Sequence, residues 1–408
     1  MGLVKEQAEA LWTGSATTHD LQPVSLLLGL EELSDGLAFL SSFGNVIALA
    51  TAGGLVLVDT GSFFMAGQNH QNLRAFSHLP LALAIYTHGH VDHAFGVGPF
   101  EAEGRGKAEV IAHERVVERF DRYRLTAGYN RVINGRQFGV AAWPSDYRYP
   151  DRTYSHDLRL EVGGEQLELH HARGETDDHT WVFLPERKVL CTGDLFIWAS
   201  PNCGNPQKVQ RYPREWARAL REMAALRPET LLPGHGLPIL GADRVEQALT
   251  ETAELLEFLV DETLARMNAG ETLDAILGAV RPPARLVSRP YLRPVYDEPE
   301  FIVRNLWRLY GGWWNGNPAE LKPARDADLA RELAALAGGG AVLAGRADEL
   351  LARGELALAA HLAEFAKQAL PNDPDVRRVR ARVYAARVEA ETSLMAKSIF
   401  RAAAAEDE

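Results

Sequence analysis

The sequence predicts an α/β domain followed by an all-helical one. Up to about residue 240, short β-rich runs alternate with helical or loop stretches, and Gly, Pro and His are concentrated there. From Ala242 the composition turns to Ala, Leu, Glu and Arg with apolar residues three and four apart, the helical period. A dense histidine motif follows directly on one of the predicted strands, which makes the first part the chemical one. The division expected is a catalytic domain over 1–242 and a helical domain over 243–408. In the first, LAFLSSFGNVIALA (37–50) and GLVLVDTGS (54–62), joined at Ala52-Gly53-Gly54, read as a hairpin of buried strands. LALAIYT (81–87) is another strand, and Ala112 to Arg124 has the spacing of a surface helix. Two alternating runs meet at Gly163-Gly164, a hairpin signal, and TWVFLP and RKVLCTGD follow as strands.

In the second domain, residues 245–267 form a long amphipathic pattern, broken by Pro282-Pro283 and the RPYLRPVYDEPE stretch. GGWWNGNP (311–318) reads as an aromatic turn. The last hundred residues resemble helical hairpins of the tetratricopeptide kind, with Gly354 ending one helix and Pro371-Asn372-Asp373-Pro374 ending the pair. One such unit is visible, so a generic helical bundle is the other reading.

Composition narrows the partners. With 43 Lys+Arg against 55 Asp+Glu the formal charge is −12, which opposes attraction to nucleic acid or anionic lipid. No run of about 18 apolar residues offers a membrane span, and Lys5, Glu6 and Glu9 stand where a signal peptide needs its apolar run. Two cysteines, Cys191 and Cys203, are too few for a disulfide scaffold. A reduced, cytoplasmic protein is expected.

The strongest chemical signal is Thr87-His88-Gly89-His90-Val91-Asp92-His93. Two imidazoles two residues apart at a strand end can face one cation, while the carboxylate and imidazole that follow turn toward a second. Here the chain resembles the metallo-β-lactamase superfamily over roughly 35–240. That resemblance implies an αββα sandwich with a di-metal site at one sheet edge. It is carried also by Val58-Asp59-Thr60-Gly61, Gly193-Asp194 and Pro233-Gly234-His235, in the superfamily's order. It implies that Asp59 orients the metal loop, that Asp194 bridges the metals and that His235 completes the second one.

One position departs from the common pattern: Gly174-Glu175-Thr176-Asp177-Asp178-His179 stands where most members have Gly-His, which puts Glu175 in place of the third imidazole. Glu there, 19 residues before the second acidic ligand, resembles the alkylsulfatase branch. TAGYNRVINGRQFG (126–139) and Tyr310-Gly311-Gly312-Trp313-Trp314-Asn315-Gly316-Asn317-Pro318 are similar to segments of the same branch, whose helical part is a dimerisation domain. The branch usually has Glu where Asp194 stands. The lipid-carrier-like domain that holds the alkyl chain there is expected to be absent after Glu408, and its Arg-rich segment is not recognisable in FIWASPNCGNPQKVQRYPREW.

The resemblance implies His88, His90 and Glu175 for one metal, Asp92, His93 and His235 for the other, and Asp194 between. Two divalent metals against three carboxylates and one hydroxide give a near-neutral site. An anionic ester therefore needs further cations, for which Arg136, Lys208 and Arg211 are candidates. Asp92 counts among the catalytic carboxylates, with His179, Tyr129 or Tyr212 as proton donors for a leaving alkoxide. His179 has a supporting role as its alternative. The reaction expected is cleavage of a sulfate ester by a metal-bound hydroxide, with zinc first and manganese or iron as harder-metal alternatives. A lactonase or a carboxylic or phosphoric ester hydrolase would use the same site. A reading of another class makes the helical part a partner-binding module. The expected assembly is a homodimer acting on a small-molecule ester, without nucleic acid or membrane.

Overall fold

Strands covered on both faces need no polar alternation, and the runs that are apolar at every position fold into the middle of two sheets. The structure is a computed structural model that describes residues 2–407. The first sheet has seven strands in sequential order: β1 (Gly29–Ser34), β2 (Leu37–Ser41), β3 (Val46–Thr51), β4 (Gly54–Val58), β5 (Leu81–Ile85), β6 (Glu109–His113) and β7 (Arg152–Tyr154). The second has six: β8 (Asp157–Val162), β9 (Glu165–His171), β10 (Thr180–Leu184), β11 (Val189–Ile197), β12 (Thr230–His235) and β13 (Ile239–Leu240). β2, β4, β10 and β11 are buried at every position. One apolar cluster joins Phe39, Val56 and Ile85 of the first sheet to Leu169, Val182 and Leu190 of the second. The expected α/β metallo-β-lactamase sandwich, followed by helices, is the architecture found.

Local differences have plain causes. Residues 37–50 are two strands, because Ser42–Asn45 turns the chain with Gly44 at φ 76°. A side chain at Gly44 would put its Cβ 1.9 Å from the Asp92 carbonyl oxygen, so this turn closes onto the histidine loop. Ala112 and His113 belong to β6, and the helix expected from Ala112 is Arg115–Leu125. The segment 126–139, quoted above for its similarity, contains the helix Ala127–Phe138.

The chain groups into two compact units, one of residues 1–128, 144–271 and 275–312, the other of 129–143, 272–274 and 313–408. The units therefore do not divide at 242. The helix Ala242–Asn268 lays Leu249, Leu256 and Leu259, all fully buried, into the core it shares with the helix Pro213–Ala225 and with β12, so it belongs with the sandwich.

The second unit stacks Asp326–Ala337, Gly340–Ala352, Leu356–Ala369, Pro374–Ala390 and Leu394–Ala405. Asp373 caps Pro374–Ala390 by accepting from the Asp375 and Val376 amides, with Pro374 at the first helical position. Ala347, Ala359 and Ala363 line a buried seam against Val383, letting the helices approach closely. Asp407 is buried in a cradle of Arg380 Nη1 (2.5 Å), Lys367 Nζ (2.5 Å) and Arg377 Nε (3.2 Å). Replacing Asp407 by Ala leaves those cations without their shared anion, although Arg380 keeps its bonds to Glu364 and to the Ala403 carbonyl. Denaturant unfolding should show a loss of about 1–3 kcal/mol.

Candidate metal centre

β5 ends at Ile85, and the chain after it turns sharply enough to bring four titratable side chains to the ends of β10, β11 and β12. His88 Nε2 lies 2.8 Å from His90 Nδ1, and these atoms lie 3.5 and 3.3 Å from Glu175 Oε2. Beside them, His235 Nε2 lies 3.4 Å from Asp92 Oδ2, and His93 Nε2 lies 3.8 Å from the same oxygen. Asp194 on β11 faces both groups: Oδ1 is 3.3 Å from His93 Nε2, and Oδ2 is 3.5 Å from His235 Nε2 and 3.9 Å from His88 Nε2. His88, His90, Glu175 and Asp194 form one potential cation cage, and Asp92, His93 and His235 an adjoining one.

Cations fit here for a physical reason. Glu175 Oε2, Asp194 Oδ1 and His93 Nε2 are buried without a hydrogen-bond partner, a costly arrangement unless an ion takes their lone pairs. Burial holds His88 and His90 well below the ordinary imidazole range, so both are neutral donors. Burial pushes Glu175 up, to about 7, although Arg211 opposes it. Burial would lower His235 too, but Asp194 and Asp92 outweigh it and raise the ring to about 9. Protons thus sit where divalent ions would replace them.

The surrounding residues fix these side chains. Asp59, at the end of β4, accepts from Thr87 N (2.7 Å) and Thr87 Oγ1 (2.8 Å) and lies 2.7 Å from His93 Nδ1. Its φ of 57° is the left-handed region, held by these contacts and by its own amide to Ile85 O. Asn45 donates to the carbonyls of Pro233 and Gly236 (3.0 Å each), which pins the loop of His235. Gly234 has no room for a side chain: its Cβ would stand 2.1 Å from Asp194 Oδ1.

Asp178 accepts from Gly89 N (3.0 Å) and from Arg119 Nε (2.7 Å), while Arg119 Nη2 reaches Asp177 (2.5 Å). This buried pair ties the backbone between His88 and His90 to the segment that carries Glu175. Asp178→Asn, which keeps the shape but weakens both bonds, should lower metal retention against a chelator about 10-fold while the fold persists. Retention equal to wild type would remove the tie from the account.

Other residues singled out in the sequence have definite places. Arg211 is buried and bonded to Glu175 Oε1 (2.6 Å), with Asn202 Nδ2 on the same oxygen (2.7 Å). Lys208 is half-buried; burial and Arg211 pull it down to about 8, and it feels the carboxylates of Asp92 and Glu175. His179 is fully buried and stacked on His88 (4.5 Å between centroids), with Nε2 3.2 Å from Thr192 O. Of its two roles, this geometry supports orientation of His88. Tyr212 is half-buried under the Arg173 guanidinium, 3.6 Å from its ring. Tyr129, exposed, and Arg136 belong to the second compact unit, whereas the metal-ligand cluster belongs to the first.

Sequence reasoning passed over Asn45, Arg119, Asp178, Asn202 and Tyr296. The buried Tyr296 hydroxyl is raised well above the usual phenol range by burial, with the carboxylates of Asp92, Glu175 and Asp194 adding to it. None of these carries a motif of its own. The Asp177-Asp178 pair beside Glu175 was the one available hint.

Fold and cluster together define a metallo-β-lactamase domain: the model of the metallo-beta-lactamase superfamily matches residues 41–235, and that of the alkyl sulfatase dimerisation family matches 272–408. The chain is homologous to alkylsulfatases over most of its length. A linear primary-alkylsulfatase of Pseudomonas sp. is 28% identical over 359 residues, covering 81% of this chain and 68% of that one. An (R)-specific secondary-alkylsulfatase of Pseudomonas sp. is 26% identical over 370 residues, covering 83% and 56%. The chain thus spans a little over half to about two thirds of these relatives. The solved stereoselective inverting sec-alkylsulfatase Pisa1 from Pseudomonas sp. has the same fold, with a TM-score of 0.83 over 91% of this chain and 64% of that one at 24% identity.

Proposed function

We propose that the protein is a dinuclear metal-dependent hydrolase that cleaves a sulfate ester, with zinc in both sites. The observation that carries this is the paired cage, two adjoining ligand groups that share Asp194. When bound, the two ions supply Lewis acidity and a water acidic enough to ionise near neutral pH. His88, His90 and Glu175 would hold one ion, and Asp92, His93 and His235 the other, with Asp194 between them.

The carboxylate at 175 makes such a site one charge less positive than a third imidazole would. Arg211, bonded to Glu175 Oε1, restores that charge, so an anionic ester meets a site of the usual sign. Lys208 adds a cation within reach of both ligand groups' carboxylates, suited to the sulfate oxygens. Tyr296 keeps its proton against the cluster and is the buried hydroxyl suited to protonate a leaving alkoxide, with Tyr212 as the alternative donor in the same unit.

The second unit, matched over most of its length by the dimerisation family, is proposed to pair two copies of the chain. Trp313, 72% exposed, and Leu336, 84% exposed, are apolar surface for that contact. No helix among the described residues is long and apolar enough to cross a membrane. Cys191 and Cys203 are both buried and unpaired, in keeping with a reducing, cytoplasmic setting.

Sulfate release from short and long alkyl sulfates and an aryl sulfate by the zinc-loaded chain tests the reading. Release that disappears with chelation and returns with zinc is expected. Ring opening of lactones with no sulfate release would transfer the reading to the lactonase alternative.

A further inference from the structure

The metal cluster has two unlike flanks. On the Glu175 flank stand Arg211 and Asn202, polar and cationic, and Lys208 feels Arg211, Asp92 and Glu175. On the His235 flank stands a run of phenylalanines. The ring of Phe43 meets the His235 imidazole edge-on at 6.1 Å and Phe64 at 5.0 Å. Phe64 meets Phe63 at 5.3 Å, and Phe63 meets Phe95 at 6.1 Å. Phe95 follows His93 by two residues, and Val91 and Asp92 beside it are half-buried.

These rings are neither core nor loose surface. Phe43, Phe63 and Phe95 are half-buried and Phe64 is 53% exposed, so each leaves part of its surface to a ligand. Phe95 anchors the run from behind. Phe95 N donates to Gly61 O (3.1 Å), and its ring packs on the buried Tyr147 (5.3 Å), which packs on Phe120 (4.8 Å). A preformed aromatic surface one ring away from a metal ligand binds an apolar group with little ordering cost.

We propose that Phe43, Phe63, Phe64 and Phe95 form the seat for the organic half of the ester, and that this seat favours a flat aromatic group over a linear chain of similar size. The proposal rests on the hydrolase reading above for the identity of the ester, while the seat itself stands on the rings. Opposite flanks of unlike polarity orient such a substrate, with the anionic head toward Lys208 and Arg211 and the organic group over the phenylalanines. Edge-to-face and offset contacts add to simple area burial for an aromatic ligand, which gives it an advantage of about 2- to 10-fold.

The test separates binding from turnover. Zinc-loaded wild type, Phe64→Ala and Phe64→Leu are titrated calorimetrically with phenylmethanesulfonate and with hexanesulfonate, whose C–S bonds resist hydrolysis, and their zinc content is measured. Wild type is expected to bind the aryl sulfonate the more tightly. Phe64→Ala should weaken aryl binding about 10-fold with zinc unchanged, and Phe64→Leu should keep hexanesulfonate binding while losing the aryl preference. Steady-state kinetics on 4-nitrophenyl sulfate should show the same change in KM with kcat little altered. Aryl binding unchanged in both Phe64→Ala and Phe63→Ala, no sulfonate binding by wild type, or a wild-type preference for the linear chain would each overturn the seat. Phe64-dependent binding in a protein that releases no sulfate would sustain the seat and reject the hydrolase reading.

Discussion

Glu175→Ala is expected to reduce bound zinc from two ions to one per chain and to lower sulfate-ester turnover by more than about 100-fold, beyond what loss of a mere orienting contact costs. Oε2 of this carboxylate is the buried, unpartnered atom between His88 and His90, so its removal leaves those two imidazoles and Asp194 for the ion. Oε1 anchors Arg211, which is buried. The Ala variant therefore also strands a buried guanidinium, a loss of about 3–5 kcal/mol in stability. Two further variants separate the effects. Glu175→Gln keeps an acceptor for Arg211 and should be nearly as stable as wild type while still losing the ion. Glu175→His with Arg211→Met replaces the charged pair by the imidazole that most of the superfamily resembled here has, and should recover the second ion. Two zinc ions per chain in Glu175→Ala, measured by plasma emission, would remove Glu175 from the ligand set.

The division between what the sequence disclosed and what it hid follows the range of the interactions. Candidate ligands carried by a local motif at a strand end, such as His88 to His93, could be picked out because the strand itself fixes their spacing. Glu175, Asp194 and His235 were legible through the order of short signals along the chain, and the cluster unites them although they are far apart in sequence. The helix Ala242–Asn268 was legible as a helix but not as part of the sandwich, since amphipathic period says that a face is buried and not what buries it. Arg211 was expected only as a cation for an anionic ester. Its partner Glu175 lies 36 residues away, and that pairing exists only once β10 and β11 are side by side. Arg119 and Asp178 escaped for the same reason, being charges whose burial is decided by packing between the histidine loop and the segment before β10.

Asp59→Asn should disable the centre more severely than Asp59→Ala while disturbing the fold less, a crossing that a purely structural role cannot produce. Asp59 offers two oxygens, one to Thr87 N and one shared by Thr87 Oγ1 and His93 Nδ1. An acceptor at His93 Nδ1 holds the ring in the tautomer that carries its proton there and turns a lone pair at Nε2 toward Asp194 and Asp92. Asn has one oxygen and one NH2 group. With its oxygen kept on Thr87 N, the NH2 group faces His93 Nδ1, which must then accept. The proton moves to Nε2, the lone pair leaves the cage, and the ring becomes a donor where a ligand is needed. Zinc affinity at this group should fall toward the upper end of the 10- to 100-fold range known for such contacts. Ala imposes no tautomer, so its zinc affinity should fall toward the lower end. Yet Ala abandons the buried Thr87 amide and hydroxyl and must adopt φ near 57°, a conformation Asn tolerates better, so it should be the less stable by about 1–3 kcal/mol. Zinc affinity by competition with a chromophoric chelator, beside denaturant unfolding of the same two variants, reads both arms. If Ala were the worse variant by both measures, Asp59 would be a packing residue and His93 would owe its orientation to something else.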